Sequence, residues 1–468
     1  MRTPIEHVAV IGAGVSGLAA AWALVRAGVG VTVLERSARV GGLVESERPV
    51  PGVVIEHGAD GLLAGKPGGL PVLRALGLEE RVVRGGRAPR RAFVLTGQGL
   101  VPMPAGLFAF QRRALPAMLR TPLLSPAAKL RLVLEPFAHR ARGDETVAEF
   151  FDRRFGHEVR ERLVAPMLRG LYGVAPDAIA MRAVFPALAS FEDRYRSVTL
   201  ALLAAPRTGA GQGLVTLQGG MAAVPEALAA TLGDRVRRGL EVRRLERRAR
   251  GGLRLHLAGG ATLDADAAVM ATPLHAAADL VAGLDEAAAG TLAAAVASDA
   301  DVVTLAFERG QVEHPLDATG FVVGAPGHAM LACTFASEKW HGRAPEGLVV
   351  LRSVLAGCDG GDRELVEIAA GELRDVLGLR GPAQWSRVRR HRAALPVHGP
   401  GQLGRIRAAA AGVAAAAPIA LAGNYLGGVG VPDAIASGLA AAAHLLGNYT
   451  QAGDAGQPAR ERRRHGHR

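Results

Sequence analysis

The sequence predicts a mixed α/β fold of two or three domains, and three observations lead to this prediction. At 468 residues the chain exceeds the size at which a single hydrophobic core keeps growing. Its first 35 residues have the pattern of a strand, a glycine-rich turn, a helix and a second strand. A further strand, glycine turn and helix follow at residues 421–446. Strands that alternate with helices in this way are typical of a parallel sheet covered by helices.

The first unit contains the hexapeptide GAGVSG between the apolar runs His7–Ile11 and Gly30–Glu35. In this pattern the first glycine permits a tight turn, the second lets a pyrophosphate approach the backbone, and the third lets helix and strand pack closely. The helix that follows, to about Ala27, offers free N–H groups to the anion. Glu35 can accept hydrogen bonds from both ribose hydroxyls, which disfavours NADP. We therefore expect dinucleotide binding by Glu35 and by Gly12, Ala13, Gly14, Val15, Ser16 and Gly17; the alternative is a glycine turn that binds nothing.

FAD and NAD share this fingerprint, so the choice between them depends on the next segment. RSARVGG, residues Arg36–Gly42, places the cation of Arg39 and two glycines beside the expected pyrophosphate. This segment resembles the second dinucleotide motif of flavin amine oxidases and related FAD enzymes, which favours FAD. A loop arginine in a flexible turn is the alternative.

The middle of the chain changes texture twice. Residues 89–206 contain helical segments that are rich in Leu, Arg and Phe and separated by prolines, which predicts an inserted helical domain. After Gly213 three alternating segments predict a meander that ends in a buried strand. Beyond residue 284 the predicted strands, with helices between them, are Val302–Phe307, Gly320–Val323 and Gly347–Leu355. The last folded segment is Pro418–Gly447, and the basic tail 451–468 is predicted to be disordered.

Charge and cysteine content exclude several functions. The chain has 55 Lys and Arg against 43 Asp and Glu, but only three of the cations are lysines. A GC-rich genome would give such a bias towards Arg and Ala, so the positive charge is weak evidence for a nucleic-acid partner. Because no aromatic residues are interleaved with the basic ones, we expect no nucleic-acid partner, whereas an anionic substrate or membrane surface is compatible. Cys333 and Cys358 lack metal or redox spacing, so we expect no metal site. We recognise neither a signal peptide nor a transmembrane segment, and we expect a reduced cytosolic setting.

Eight blocks of the sequence resemble the protoporphyrinogen oxidase family of FAD enzymes. They are VGGLVESE, IEHGADGLLAGKP, VPMPAGLF, LVAPMLRGLYGVAPDAIAMRAVFPAL, GLVTLQGGMAAVPEAL, VMATPLHAAADLV, CTFASEKWHGRAPEG and LAGNYLGGVGVPDAIASGLAAA, in family order. The resemblance spans His7 to about Leu446 and implies a discontinuous Rossmann-like FAD domain, a mixed-sheet substrate domain and a helical membrane-associating insert. The implied limits are 1–88, 207–282 and 405–450 for the FAD domain, 89–206 for the insert, 283–404 for the substrate domain and 451–468 for the tail.

The resemblance also implies which residues hold FAD. Glu35 and Arg36 would hold the ADP half, Arg39 and Gly42 would border the pyrophosphate, and the backbone of Val242 would bind the adenine. The residues expected beside the flavin ring are Gly58, Ala59, Asp60, Gly61, Asn424, Val429, Gly430 and Val431. The second glycine junction lacks GxGxxG spacing, so it is implied to be the other end of the same FAD. Its helix would direct N–H groups at the flavin N1–C2=O edge, where negative charge gathers on reduction.

The reaction that the resemblance implies is the oxidation of protoporphyrinogen IX to protoporphyrin IX in haem biosynthesis, by stepwise removal of six electrons and six protons. Hydride equivalents would go to flavin N5, and molecular oxygen would reoxidise the flavin and form hydrogen peroxide. This scheme requires no protein base, and we assign no catalytic residue. Arg91 is the candidate partner of a substrate propionate, with a shift of one residue because Ala92 aligns with the family arginine; a solvated arginine without a binding role is the alternative.

Departures from the family pattern leave the substrate open. In LPVHGPGQ, His398 is displaced and Gln402 stands where the family has a His, and DAI replaces the common DCI at Asp433–Ile435. The alternatives are oxidation of coproporphyrinogen III to coproporphyrin III, another flavin amine oxidase or carotenoid-type desaturase, and a flavin-binding paralogue without turnover. The mixture of apolar residues and Arg in GLFAFQRRALPAMLRTPLL is compatible with peripheral contact of a cytoplasmic protein with the inner face of the cell membrane; the alternative is a buried core helix with a solvated arginine face. A homodimer is left open.

Overall fold

The structure, a computed structural model, describes residues 5–89, 91–107, 112–141, 143–204 and 213–454, with side chains as far as Gly447. The strands are β1 (His7–Ile11), β2 (Gly30–Glu35), β3 (Ser46–Glu47), β4 (Ile55–Glu56), β5 (Leu62–Leu63), β6 (Val82–Val83), β7 (Phe93–Thr96), β8 (Gly99–Pro102), β9 (Leu214–Leu217), β10 (Val236–Arg238), β11 (Val242–Arg247), β12 (Leu253–Leu257), β13 (Thr262–Ala265), β14 (Ala267–Met270), β15 (Ala297–Glu308), β16 (Gly320–Val323), β17 (Met330–Phe335), β18 (Leu348–Leu355), β19 (Trp385–Pro396) and β20 (Ile419–Leu421).

The helices are α1 (Val15–Arg26), α2 (Leu70–Ala75), α3 (Ala114–Arg120), α4 (Pro126–Val133), α5 (Val147–Arg154), α6 (His157–Val159), α7 (Ala165–Tyr172), α8 (Met181–Val184), α9 (Pro186–Tyr195), α10 (Val198–Ala204), α11 (Ala223–Leu232), α12 (Leu274–Val281), α13 (Glu286–Ala293), α14 (Ala336–Lys339), α15 (Asp362–Leu377), α16 (Gln402–Ala416) and α17 (Val431–Asp454). A π-helical turn, Arg160–Val164, joins α6 to α7.

A five-stranded parallel sheet in the order β10-β2-β1-β14-β20 carries both glycine junctions. Its central strand β1 pairs with β2, its neighbour in the chain, and with β14, which follows about 260 residues later. Successive side chains of β1 point to opposite faces, so Val8 and Val10 pack with α1, α11 and α17, whereas Ala9 and Ile11 pack with α12, α13 and α16. Because β1, β2 and β14 are buried on both faces, they are short continuous apolar runs.

A seven-stranded mixed sheet forms the second core, in the order β19-β15-β18-β17-β16-β7-β8. All its neighbours are antiparallel except β16 and β7. Helix α15 packs Leu365, Ala369 and Leu373 against one face of this sheet. On the insert side α7 lies close, and a Cβ on its Gly170 would be 3.1 Å from side-chain atoms of Ala332 and Val322.

The structure differs from the predicted limits of the helical insert and of two neighbouring segments. The hairpin β7–β8 lies at residues 93–102 but belongs to the seven-stranded sheet, because β7 pairs with β16. The helices of the insert therefore begin at α3. The boundary predicted at 404/405 falls inside α16, and α17 extends to Asp454, inside the tail that was predicted to be disordered; residues 455–468 lie outside the described residues.

The helices α3 to α10 pack around their own apolar cluster, which includes Phe150, Leu163 and Leu168. Beside it lies a buried ionic network. Arg154, with no exposed surface, donates to Glu135 at 2.8 Å and to Glu192 at 2.5 Å. No helix in the described part of the chain is both long enough and apolar enough to cross a membrane.

Candidate functional site

The GAGVSG loop leaves space beside only one of its glycines. Gly12 has φ +101°, and its amide donates to the carbonyl oxygen of Leu34 at 2.8 Å. A Cβ on Gly12 would lie 2.6 Å from the carbonyl oxygen of Ala271. A Cβ on Gly17 would lie 2.0 Å from the carbonyl oxygen of Gly12. The packing of the protein itself therefore requires both glycines. A Cβ on Gly14 would meet no atom closer than 4.0 Å, so the space beside its backbone, at the N-terminus of α1, is open to a bound group.

The second predicted loop lies directly against the first. The amide of Gly41 donates to the carbonyl oxygen of Ala13 at 2.8 Å, and Gly14 and Gly41 form an isolated parallel bridge. Gly42 has φ +59°, and a Cβ there would lie 3.2 Å from the Cα of Gly14. Arg39 donates to the carbonyl oxygen of Gly42 at 2.8 Å. Arg39 therefore braces this loop, which lies next to the open backbone of Gly14, and its guanidinium also pairs with Glu45 at 3.0 Å.

Three residues predicted at the adenosine end lie close together. The Glu35 carboxylate accepts a hydrogen bond from the amide of Ala13 at 2.8 Å, so it points at the glycine turn. The amide of Leu240 donates to the carbonyl oxygen of Glu35 at 2.9 Å, which brings Val242, the first residue of β11, near the end of β2. Arg36 is exposed at the same place. Their contacts with an adenosine remain a prediction.

The predicted flavin loop around Gly58 is held by cations from the seven-stranded sheet. A Cβ on Gly58 would lie 1.9 Å from the carbonyl oxygen of Leu43, so this loop touches the Gly42 loop. Arg352, on β18, donates to the carbonyl oxygen of Gly58 at 2.8 Å, and Lys339, at the end of α14, pairs with Asp60 at 2.6 Å. Neither cation is identified by the sequence patterns, because each partner lies more than 270 residues away in the chain.

The Asp60 carboxylate of this loop and the cations that contact the loop change one another's pKa values. Burial alone would raise the pKa of Asp60, but the cations of Lys339 and Arg352 outweigh burial, and the pKa is lowered. Burial lowers the pKa of Arg352, although the negative charges of Asp60 and Glu56 act to raise it. On the other side of the loop Gly61 packs against β9, where a Cβ would lie 2.7 Å from the carbonyl oxygen of Val215. The loop that contains Ala59 is therefore fixed by a hydrogen bond from Arg352 of the seven-stranded sheet and by the ion pair of Asp60 with Lys339 of α14.

The second glycine junction lies against the first. A Cβ on Gly438, in α17, would lie 1.9 Å from the carbonyl oxygen of Ser16, in α1, so the two helices cross with their backbones in contact. The side chain of Asn424 donates to the carbonyl oxygen of Ala394 at 3.0 Å, which joins this loop to the end of β19. The half-buried Val429 and Gly430 follow, and α17 begins at Val431.

Residues 66–68 connect the flavin loop to the start of α17. Lys66 donates to both carboxylate oxygens of Asp433, at 2.6 and 2.8 Å, and a Cβ on Gly68 would lie 2.1 Å from the carbonyl oxygen of Pro432. We name loops 12–17, 39–44 and 58–68 together with residues 427–433 the cofactor loops. Each of them touches the next, so they form one continuous line of backbone contacts from α1 to α17.

Arg91 lies apart from the contacts that join the cofactor loops. Its guanidinium donates to the carbonyl oxygen of Asp317 at 2.8 Å, forms an ion pair with the Asp317 carboxylate, and lies over the ring of Phe93 at 5.7 Å. The side chain is 42% exposed. Its role in substrate binding therefore remains a prediction.

Two buried polar groups near the second junction have no hydrogen-bond partner within the part of the chain that the structure describes. The Tyr425 hydroxyl is fully buried, and burial raises its pKa. His398 is 4% exposed, and both of its ring nitrogens are unpaired. Burial, followed by the charge of Arg407, lowers the pKa of His398.

The residues present fit a dinucleotide rather than a metal. Among the described residues no three His, Cys, Asp or Glu side chains come close enough to hold a metal ion. The open space at Gly14, the adjacent cation of Arg39 and the N-terminus of α1 suit a pyrophosphate. The line of contacts leads from there to the Gly58 loop, which Arg352 of the seven-stranded sheet holds, and on to α17.

Comparisons with known proteins agree with this geometry. A family model for flavin-containing amine oxidoreductases matches residues 15–446. A coproporphyrinogen III oxidase of Bacillus subtilis (strain 168) is 30% identical, over 94% of this chain and 98% of its own. A protoporphyrinogen oxidase of Bos taurus is 31% identical, over 94% and 98% of the two chains.

A solved structure from Exiguobacterium sp. 255-15, provisionally assigned as a protoporphyrinogen oxidase, is 28% identical. It covers 95% of this chain and 99% of its own, with a TM-score of 0.83. These matches confirm the family resemblance and the mixed α/β flavoprotein fold. The chain therefore belongs to the family of flavin-containing amine oxidoreductases, and its cofactor is FAD.

Proposed function

We propose that this chain oxidises a porphyrinogen to the corresponding porphyrin in haem biosynthesis, with FAD as cofactor and molecular oxygen as acceptor, and releases hydrogen peroxide. The observation that carries the proposal is the continuous line of cofactor loops, which ends against a second sheet and a helical insert. Such an arrangement supports an extended flavin cofactor whose reactive end faces a separate substrate-binding unit. The names of the relatives from Bacillus subtilis and Bos taurus supply the substrate class.

In this proposal the bound flavin supplies the acceptor for hydride equivalents, and the residues of the chain bind, orient and shield it. Gly14 and Arg39 would hold the pyrophosphate, and Glu35 the ribose. The N-terminus of α17 would favour negative charge at the ring edge. Arg352 fixes the flavin loop to the seven-stranded sheet through the carbonyl oxygen of Gly58. No side chain is assigned as a base.

Two porphyrinogens are candidate substrates. Protoporphyrinogen IX, expected first from the family resemblance, has two propionates, whereas coproporphyrinogen III has four. The Bos taurus relative favours the first by its name, and relatives from Bacillus subtilis and Propionibacterium freudenreichii favour the second. We place coproporphyrinogen III first because this name recurs among relatives that match more than 90% of this chain, those from Bacillus subtilis, Propionibacterium freudenreichii and Staphylococcus aureus.

The test of the proposal is anaerobic mixing of the FAD-loaded protein with each reduced porphyrinogen while flavin absorbance is followed. We expect bleaching by coproporphyrinogen III that is faster than bleaching by protoporphyrinogen IX, and hydrogen peroxide when oxygen is admitted. Bleaching by neither compound would refute the proposal and would favour a flavin protein without porphyrinogen turnover. Faster bleaching by protoporphyrinogen IX would reverse the order of the two substrates.

Arg91 is proposed to bind one substrate propionate, because a guanidinium can pair with a carboxylate in bidentate fashion. Its present partner, Asp317, would then exchange with the substrate. Arg91→Ala is expected to raise KM and to leave flavin content unchanged. Arg363→Ala, which removes a highly exposed arginine of α15, is the matched control. An unchanged KM for Arg91→Ala would remove this residue from the substrate site.

We also propose that the helical insert contacts the inner face of the cell membrane. An exposed apolar patch, the insert patch, lies on α4 and the turn after it: Leu130, Val133, Leu134 and Phe137, which are 61, 58, 43 and 85% exposed. The predicted segment 106–124 contributes the exposed Leu119, and its residues 108–111 lie outside the described residues. An apolar patch with nearby cations, here Lys129 and Arg140, suits an anionic lipid surface.

Co-sedimentation with liposomes tests this contact. The protein is expected to sediment with anionic vesicles at low salt, and Phe137→Glu is expected to reduce the bound fraction. Val296→Glu is the control, because Val296 is 60% exposed but lies on the segment that leads into β15, outside the insert. Failure of the unaltered protein to sediment, or an equal loss in both variants, would contradict membrane contact through the insert patch.

A further inference from the structure

Lys66 and Asp433 form an ion pair at the start of α17 that no sequence motif identifies. Lys66 donates to both oxygens of the carboxylate, at 2.6 and 2.8 Å, across 367 residues of chain. The lysine side chain is 41% exposed and the aspartate side chain 26% exposed. Partial exposure weakens such a pair as a source of stability, so its position matters more than its strength.

The Asp433 carboxylate is enclosed by the loop that precedes α17. A Cβ on Gly428 would lie 2.8 Å from its Oδ2 atom, and one on Gly430 would lie 2.9 Å from the same atom. Burial, followed by the Asp433 charge, raises the pKa of Tyr172, at the end of α7. The carboxylate therefore lies where the second glycine junction, the flavin loop and the helical insert meet.

Charge at this place acts on any redox group held by residues 427–433. The N-terminus of a helix has a partial positive charge, which stabilises an anion there. Asp433, in the first turn of α17, opposes this effect with a full negative charge, and the Lys66 ammonium cancels that charge. Of 55 basic residues in the chain only three are lysines, and Lys66 is one of them. A compact ammonium can approach both carboxylate oxygens, which a planar guanidinium does in a different geometry.

We infer that the Lys66–Asp433 pair sets the reduction potential of the bound flavin, with Lys66 acting as a positioning residue that neutralises Asp433 at the N-terminus of α17. This inference rests on the proposed placement of the flavin ring at the second glycine junction. Loss of Lys66 leaves the Asp433 charge uncompensated, which disfavours the reduced, more negative flavin. Loss of the Asp433 charge leaves the Lys66 ammonium in excess, which favours the reduced flavin.

The test is the reduction potential of the FAD-loaded protein, measured by equilibration with redox dyes. Lys66→Met is expected to lower the ratio of reduced to oxidised flavin about tenfold at a fixed ambient potential, which is ~30 mV for a two-electron couple. Asp433→Asn is expected to raise this ratio by a similar factor. Lys66→Arg, which keeps the charge, is expected to restore most of the potential, and the double variant is expected to lie near the unaltered protein. Arg74→Met, which breaks the exposed Arg74–Glu79 pair of α2, is the control.

Opposite shifts in the two single variants support the inference. Potentials that equal that of the unaltered protein, or that shift in the same direction in both variants, overturn it, since a change in packing alone has no reason to depend on the sign of the charge. If Lys66→Met fails to retain FAD, the isosteric Asp433→Asn decides alone, and a ratio that is unchanged or lowered overturns the inference. Porphyrinogen-dependent bleaching in these variants is recorded separately, so the proposed function can hold while the inference fails.

Discussion

The contact between Gly438 and Ser16 gives the sharpest test of how the two glycine junctions are joined. In Gly438→Ala the new Cβ would lie 1.9 Å from the carbonyl oxygen of Ser16, about 1.5 Å short of an ordinary contact, and 3.1 Å from the amide nitrogen of Ala20. Both obstacles are backbone atoms, so no side-chain rotation can remove the clash. Helices α1 and α17 are therefore expected to move apart by about 1 Å or more.

Overpacking of this kind costs about 1–3 kcal/mol. Because the obstructing atoms belong to the backbone of α1 and cannot rotate away, we expect Gly438→Ala to lie at the upper end of this range. The gain in helix propensity from glycine to alanine returns about 1 kcal/mol, which leaves a net loss of about 2 kcal/mol. For a domain of this size we expect Tm of the FAD-free protein to fall by about 4–8 °C. Because α17 carries residues 427–433 with it, we also expect FAD to bind at least about tenfold more weakly, ~1.4 kcal/mol in binding free energy.

The assay combines thermal unfolding of the FAD-free protein with an FAD titration followed by fluorescence. The matched control is Gly404→Ala, at an exposed position of α16 where a Cβ would meet no atom within 4 Å. The control is expected to stabilise the protein by about 0.5–1 kcal/mol through helix propensity alone. If Gly438→Ala behaves like Gly404→Ala, or if its Tm and FAD affinity equal those of the unaltered protein, the close crossing of α1 and α17 is refuted.

Three further substitutions test other parts of the structure. Gly14→Val places a side chain in the open space beside the first glycine loop, so FAD content after purification is expected to fall to near zero. The Tm of the FAD-free variant is expected to stay within about 2 °C of that of the unaltered FAD-free protein, and an unchanged flavin content would contradict the prediction. Arg154→Met removes a cation with no exposed surface and leaves the buried Glu135 carboxylate without its ion-pair partner, whereas Glu192 keeps its pair with Arg153, so the free energy of unfolding in urea is expected to fall by about 3 kcal/mol, and a loss below about 1 kcal/mol would show that the Arg154 pair is not needed. His398→Phe tests the pH dependence of stability. Burial lowers the pKa of His398, so below about pH 6.5 the imidazole is protonated in the unfolded chain but not in the folded chain. The free energy of unfolding therefore falls as the pH drops through that value. The difference in Tm between His398→Phe and the unaltered protein is therefore expected to grow in favour of the variant from pH 7.5 to pH 5.5, and a constant difference would refute this sign.

The local parts of the fold could be predicted from the sequence because their causes are local. The strands β1, β2 and β16 have the predicted bounds, since each is a short apolar run next to a glycine or a charged residue. The meander of β11, β12 and β13 was also predicted, from the alternation of apolar and polar residues. The fully buried β14 was predicted where this alternation ends.

Strand β19 was not predicted, because its sequence is dominated by arginine. Those arginines are paired rather than solvated: Arg387 bonds Glu47 at 2.7 Å, Arg389 pairs with Glu45, and Arg390 bonds Asp362 at 3.0 Å. The partners are up to 344 residues away, so no local pattern marks these positions as a strand. The extent of β15 was underestimated for the same reason, since pairing with β19 extends it to Ala297.

One part of the candidate site could likewise be predicted from the sequence, and another part could not. The GxGxxG loop and Glu35 are recognisable from spacing alone, because their roles follow from a turn, a helix terminus and a strand end. Arg352, Lys339 and the partner of Lys66 are not recognisable, because each depends on which distant segments the fold brings together. Family resemblance supplied the link between the two glycine junctions, and the contact at Gly438 gives that link a physical basis.

The strand order of the five-stranded sheet has a consequence for how the protein is made. During synthesis β1 and β2 emerge first, but β14 and β20, which complete the sheet beside β1, follow about 260 and 410 residues later. At about 5–20 residues per second the first nucleotide loop exists for on the order of tens of seconds before α17 leaves the ribosome. The β1 face that later packs with α12, α13 and α16 is uncovered in that interval, so this segment is exposed to aggregation until the chain is complete. A nonsense mutation between residues 420 and 431, which removes α17, is thus expected to leave the GxGxxG motif intact and still yield a chain that cannot retain its cofactor.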